Sequence, residues 1–209
     1  SHILTVVERA FPRIDMELPP GLRIGIESKK GRVAPTREAP SKAEIARGDR
    51  ELAAAWAFLF AGLKNTKSLC VAFRNEKLAS VAKRNWKDMG STRIIALPNQ
   101  KQAFGTPKSI QEVAGRQFVI AVAPSSGQLA QLQELDEARG GKFCLILINA
   151  GLRGLEEPDE LRDDLAAASN PVFHVRFAGP KQSGLVYHRY GLPWVVAKRK
   201  AGGEFEEGS

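Results

Sequence analysis

Apolar residues in this chain fall into two rhythms. Short runs of continuous Val, Ile, Leu and Ala alternate with longer amphipathic stretches, and the runs predict strands over KSLCVAF (67–73), TRIIALP (92–98), QFVIAVAP (117–124) and KFCLILINA (142–150). Between them, NEKLASVAKRNWKDMG (75–90), SSGQLAQLQELDEARGG (125–141) and PDELRDDLAAASN (158–170) read as helices, the first stopped by Gly90 and the last begun at Pro158. Upstream, Ser41 and Glu44 have the spacing of a capping box and predict a helix from Lys42 to Leu63. Residues 8–20 predict a short strand with Ile14, Met16 and Leu18 on one side, closed by Pro19 and Pro20.

Strand runs that are apolar on both sides, separated by helices, indicate a parallel sheet covered on both faces. The rhythm then changes. PVFHVRF (171–177), GLVYHRY (184–190) and LPWVVAKRK (192–200) follow one another with short connections, which predicts an antiparallel meander. The expected fold is one α/β domain over residues 1–209, a three-layer structure with a mostly parallel sheet flanked by helices and a C-terminal antiparallel meander. Residues 21–40 mix Gly, Pro, Ser, Lys and Arg and read as a mobile basic linker or docking arm, and 201–209 (AGGEFEEGS) as a disordered tail.

Charge adds a second layer. The net charge is +8, but acidic residues are plentiful until Leu165, after which none occurs through Gly203. In PVFHVRF, Phe173, Val175 and Phe177 alternate with His174 and Arg176, so one face reads as apolar and the other as basic. Arg176, Lys181, Arg189, Lys198, Arg199 and Lys200 are the candidate partner-binding face, and Lys29, Lys30, Arg32 and Arg37 repeat the theme in the arm. Such a surface attracts an acidic protein, nucleic acid or anionic lipid headgroups.

Motifs for chemistry are sparse. The chain has no GxGxxG, GxxxxGK[ST] or GxSxG. Ser125, Ser126 and Gly127 open a helix after a strand, where an N-cap is the ordinary role and anion binding the alternative. His174 and His188 lie on adjacent predicted strands and read as surface members of the basic face. Asp15 and Glu17 on the first strand, and Asp163 and Asp164 on a helix, read as solvated. Trp56, Trp86 and Trp194 are taken as packing residues, and Cys70 and Cys144 as buried free thiols. No catalytic residue, metal or cofactor is expected. The longest apolar stretch, LAAAWAFLFAGL (52–63), is shorter than the roughly 18 residues that span a bilayer and reads as a core helix.

Four stretches, RIDMELPP (13–20), GDRELA (48–53), FVIAVAPSSGQLAQLQEL (118–135) and YGLPWVVAKR (190–199), together resemble a plastid and cyanobacterial family described only as a domain of unknown function, the one that includes the plant Low PSII Accumulation Three protein. The chain is similar to it along nearly its whole length. It departs at Asn149-Ala150-Gly151, where the family tends to have Asn-Pro and a basic residue, and at Leu192, where the family has glycine. The resemblance implies a chloroplast protein on the stromal side of the thylakoid membrane. It further implies a non-enzymatic accessory that docks on a photosynthetic membrane complex, as a photosystem II assembly or auxiliary factor. Alternatives from the residues themselves are a basic nucleic-acid-binding module, which the scarcity of exposed aromatics disfavours, and phosphorylated small-molecule binding at the 124–128 loop.

Overall fold

The structure, a computed structural model, describes residues 13–22, 40–61, 69–86, 92–98, 111–113, 115–140, 144–153, 159–179, 182–200 and 205–207. Its strands are β1 (Arg13–Glu17), β2 (Leu69–Phe73), β3 (Arg93–Ala96), β4 (Phe118–Val122), β5 (Cys144–Ile148), β6 (Asn170–Ala178), β7 (Gly184–Arg189), β8 (Val195–Arg199) and β9 (Phe205–Glu207). The helices are α1 (Lys42–Ala61), α2 (Glu76–Asn85), α3 (Ser126–Ala138) and α4 (Glu160–Ala168). All nine strands join one sheet in the order β3-β2-β4-β5-β1-β6-β7-β8-β9. Pairing is parallel from β3 to β6 and antiparallel from β6 to β9. The α/β fold with its C-terminal meander is thus the one the sequence pattern predicts.

Alternation divides the parallel half into two cores. Ile14, Met16, Val71, Phe73, Ile120, Val122, Ile146 and Ile148 face α1 and α2, where Ala53, Ala54, Ala57, Ala79 and Ala82 let the helices lie close to the sheet. Val119, Ala121, Leu145 and Leu147 face the opposite way, onto Leu129 and Leu132 of α3 and Leu165 and Ala166 of α4. Such double coverage explains why β2 and β5 are buried at every position. Cys70 and Cys144 are free and buried, and burial pushes both thiols up to about 12, which keeps them protonated.

Helix boundaries follow capping chemistry. Ser41 and Glu44 form the anticipated box at the start of α1, with the Ser41 amide donating to Glu44 Oε2 at 2.8 Å. Asn75 caps α2 and Asp159 caps α4. One segment departs from expectation. The tail after Lys200 is not wholly irregular, because Phe205–Glu207 adds β9 to the edge of β8. The basic arm at 23–39, with Lys29, Lys30, Arg32 and Arg37, and Lys181 in the β6–β7 turn lie outside the described residues.

Candidate functional site: a buried ionic cluster beneath an exposed tryptophan

β1 is the strand that joins the helix-covered half to the meander, and on one face it carries Asp15 and Glu17. Asp15 is 1% exposed. Its carboxylate takes a hydrogen bond from Arg153 Nε at 3.3 Å and lies 3.2 Å from His174 Nε2. Glu17 lies 2.6 Å from Arg176 Nη2 and 3.8 Å from His174 Nδ1. Arg153 and Arg176 are tied down in turn: Arg153 donates to the carbonyls of Ala166 and Ser169, and Arg176 to the carbonyl of Arg153. Two carboxylates, two guanidiniums and one imidazole therefore close a network across β1, β6, the end of α4 and the segment after β5.

Burial of His174 opposes its charged form, but the hydrogen bonds and charges of Asp15 and Glu17 outweigh that and raise its pKa to about 9. At neutral pH it is an imidazolium. Glu17 is pushed up by burial, yet the hydrogen bonds and charges of His174 and Arg176 bring it below its ordinary value. A histidine so held is a poor general base, because its proton is already committed to two carboxylates. The cluster is an ion-paired joint in the sheet, with three cationic groups on two carboxylates.

His174 pairs directly with His188 on β7, as adjacency of the two strands requires. Their states differ: burial lowers the pKa of His188, and the charge on His174 lowers it further. Trp194 covers both rings, stacked on His188 at 4.7 Å between centroids and tilted against His174 at 5.4 Å. Trp194 is 45% exposed, and its sequence neighbours Leu192 and Val196 are 49% and 62% exposed. Two expectations are corrected here. Trp194 is not a core residue, since among the described residues the helices make their main contacts with β2 to β5. His174 and His188 are buried rather than displayed, because the indole lies over them.

The expected basic face is also redistributed. Paired residues on antiparallel strands point to the same side, so Arg189, opposite Phe173, shares the side of Phe173, Val175 and Phe177. Arg199, opposite Phe205, is on that side too. Arg176 and Lys198 are on the other, with His174, His188, Val186 and Val196. Lys200 follows β8 and pairs with Glu206 Oε1 at 3.0 Å. Basic residues were readable as a set, but strand register splits them between both sides and commits Arg176 to Glu17.

Two further polar residues close the crevices where ligands gather in an open α/β sheet, between neighbouring strands whose following helices lie on opposite faces. At β2 and β4, Gln128 is 1% exposed. Its Nε2 donates to the carbonyls of Arg74 and Leu97 at 2.9 and 3.1 Å, and its Oε1 accepts from the Ser125 amide at 3.0 Å. Ser125, Ser126 and Gly127 thus lie at the start of α3 as expected, with Arg162 Nη2 donating to Ser126 Oγ at 3.2 Å. At β5 and β1, Asn149 does the equivalent work at a positive φ of 50°. It accepts from the Leu18 amide at 2.8 Å and donates to Asp49 of α1 at 2.7 Å. Burial raises the pKa of Asp49, opposed by the Asn149 hydrogen bond.

The family model described as Domain of unknown function (DUF1995) matches residues 4–207. The chain belongs to this family. No curated protein matches it at a significant level. Within this DUF1995 chain, the four stretches that carried the resemblance meet around the features just described. RIDMELPP supplies Asp15 and Glu17, and the β4–α3 stretch supplies Gln128. YGLPWVVAKR supplies Leu192, Trp194 and Val196. GDRELA supplies Asp49 and Gly48, where an added Cβ would come within 2.5 Å of the Leu22 carbonyl. Asn149, Arg153, His174, Arg176 and His188 come from outside them. The ionic cluster escaped sequence reading because its members are up to 161 residues apart, from Asp15 to Arg176, and its one early signal was the pair of acids on an otherwise apolar strand.

Proposed function

We propose that this DUF1995 chain is a non-enzymatic docking module of the chloroplast, which binds the stromal side of a photosynthetic membrane complex as an assembly or auxiliary factor of photosystem II. The observation that supports docking is the exposed trio Leu192, Trp194 and Val196. It sits in a stretch without acidic residues and beside Lys198, and the charged network beneath it holds its floor in place. Large apolar side chains exposed beside basic residues suit a protein partner with an apolar groove and acidic groups at its rim. Likeness to the plastid family supports the choice of membrane complex. Among the described residues no helix is long and apolar enough to cross a membrane.

Capture from gently solubilised thylakoids tests it, comparing the parent with Trp194→Ala and with Val196→Glu/Lys198→Glu. Arg176 is left intact because it holds Glu17. The parent is expected to retain photosystem subunits at low salt and lose them at high salt, while both variants stay folded and retain little. Undiminished capture by the variants, or parent binding to protein-free anionic vesicles in place of the complex, would overturn the proposal.

A further inference from the structure

The sheet ends at β9, which is three residues long and acidic, lying against a strand that is basic. Glu206 is directly opposite Lys198, and its carboxylate lies 3.0 Å from the Lys200 ammonium. Phe205 is opposite Arg199, whose guanidinium stands over its ring at 5.8 Å. On the same side, Phe177 of β6 lies 6.1 Å from Phe205 between ring centroids. One short segment thus makes three kinds of contact at once: backbone pairing to β8, an aromatic ring in a Phe–Arg seat and a carboxylate on the Lys200 ammonium. Those are the elements of peptide recognition by strand addition, where backbone pairing holds the segment and alternate side chains select it.

We propose that β8 is a strand-addition site for an extended acidic segment of a partner protein with an aromatic residue followed by carboxylates, and that β9 is its internal occupant. The fit of β9 defines the partner. An aromatic side chain enters the Phe177–Arg199 seat, and the next residue presents an acid to Lys198 and Lys200. Two features make β9 exchangeable. It pairs at only three positions, and the Glu206 side chain is 63% exposed. An exposed ion pair adds little holding power, whereas an incoming longer strand can pair along all of β8. Displacement would also free Lys198 and Lys200 beside the Trp194 patch, so the site deepens the docking reading above by specifying the partner's chemistry. It rests on that reading only for which complex supplies the segment.

A labelled peptide, Gly-Gly-Glu-Phe-Glu-Glu-Gly-Ser, copies residues 202–209 and serves as the probe. A tethered segment competes at an effective concentration on the order of millimolar, so the unaltered chain is expected to bind the peptide weakly. The full-length variant Phe205→Ala/Glu206→Lys/Glu207→Lys, with its own tail unable to compete, is expected to bind at least about tenfold more tightly. A peptide with lysines at the three acidic positions is expected not to bind. Equal binding by parent and variant, or none by the folded variant, overturns the proposal. Hydrogen exchange on the unaltered chain decides independently: excess peptide must raise exchange at 205–207 while 195–199 remain protected, and unchanged protection at 205–207 would also overturn it. Peptide binding without thylakoid capture would refute the photosystem reading alone, and capture without peptide binding would refute the strand-addition site alone.

Discussion

Replacing His174 with glutamine isolates the energetics of the joint between the two halves of the sheet. The imidazole is 4% exposed and its pKa is raised from 6.5 to about 9 by the carboxylates of Asp15 and Glu17. Folding therefore favours the protonated ring. Below the unfolded-state value near 6.5 both states carry the proton and the stabilisation is complete. As pH rises from there to about 9 the unfolded chain loses its proton first, and the stabilisation drains away. That span corresponds to roughly 3 kcal/mol, or a melting temperature lower by about 10 °C for a domain of this size.

Thermal and urea unfolding followed by circular dichroism between pH 6.5 and 9.5 is the assay. The parent is expected to lose stability steadily across the range. His174→Gln is expected to start about 3 kcal/mol lower at pH 6.5, because buried Asp15 and half-buried Glu17 keep only their arginines, and then to change little, so that the curves converge. On the acid side the parent should weaken again. His188 resists protonation in the fold, so stability falls as pH drops below 6.5, and Glu17, with its lowered pKa, adds its own loss as it becomes protonated. A parent curve that is flat from pH 6.5 to 9.5, or a variant with the same slope, would refute the assignment of His174 as a buried imidazolium.

The two crevice amides give expectations of opposite pH behaviour. Gln128→Leu leaves the carbonyls of Arg74 and Leu97 and the Ser125 amide without that partner, at a cost of about 2–4 kcal/mol in urea unfolding; a loss below about 0.5 kcal/mol would show that solvent replaces it freely. Asn149→Asp sets a second carboxylate against Asp49, whose pKa burial already raises. It is expected to destabilise by about 2–3 kcal/mol at pH 7 and by less at pH 5, where one of the pair takes up a proton; a pH-independent loss would contradict this.

What the sequence disclosed and what it hid follow from the range of each interaction. Strand runs such as CLILI and caps such as Ser41 with Glu44 depend on near neighbours, so their period and spacing are legible without a fold. The split of the basic residues between two faces depends on register across β6, β7 and β8. A single-strand reading saw the alternation in PVFHVRF correctly but had no means to align Arg189 with Phe173. Burial of Asp15 was harder still. Two acids spaced for one face of a strand read as solvated until Arg153 and Arg176 are seen to meet them from elsewhere in the chain. The short β9 was hidden by its composition, since GGEFEEGS resembles a solvated tail until β8 supplies the opposite charge.

The amides and the ionic cluster also bear on which half of the protein meets its partner. At both reversals of strand order a buried amide engages neighbouring groups, Gln128 the carbonyls of Arg74 and Leu97 on one side and Asn149 the Leu18 amide and Asp49 on the other. Both reversals lie in the helix-covered half, whose two cores leave its strands enclosed. The meander is different in each respect: its edge strand is occupied by only three residues, its outward side chains are large and apolar, and its charge is uncompensated between Leu165 and Gly203 except by acids from outside that stretch. The Asp15–His174–Arg176 network lies where the two halves join. Its fixed geometry allows Trp194 to rest half-exposed on two buried histidines, and a rigid aromatic needs little ordering when a partner closes over it. Under the docking proposal the parallel half is the support, and the meander is the part of this DUF1995 chain that a partner would cover.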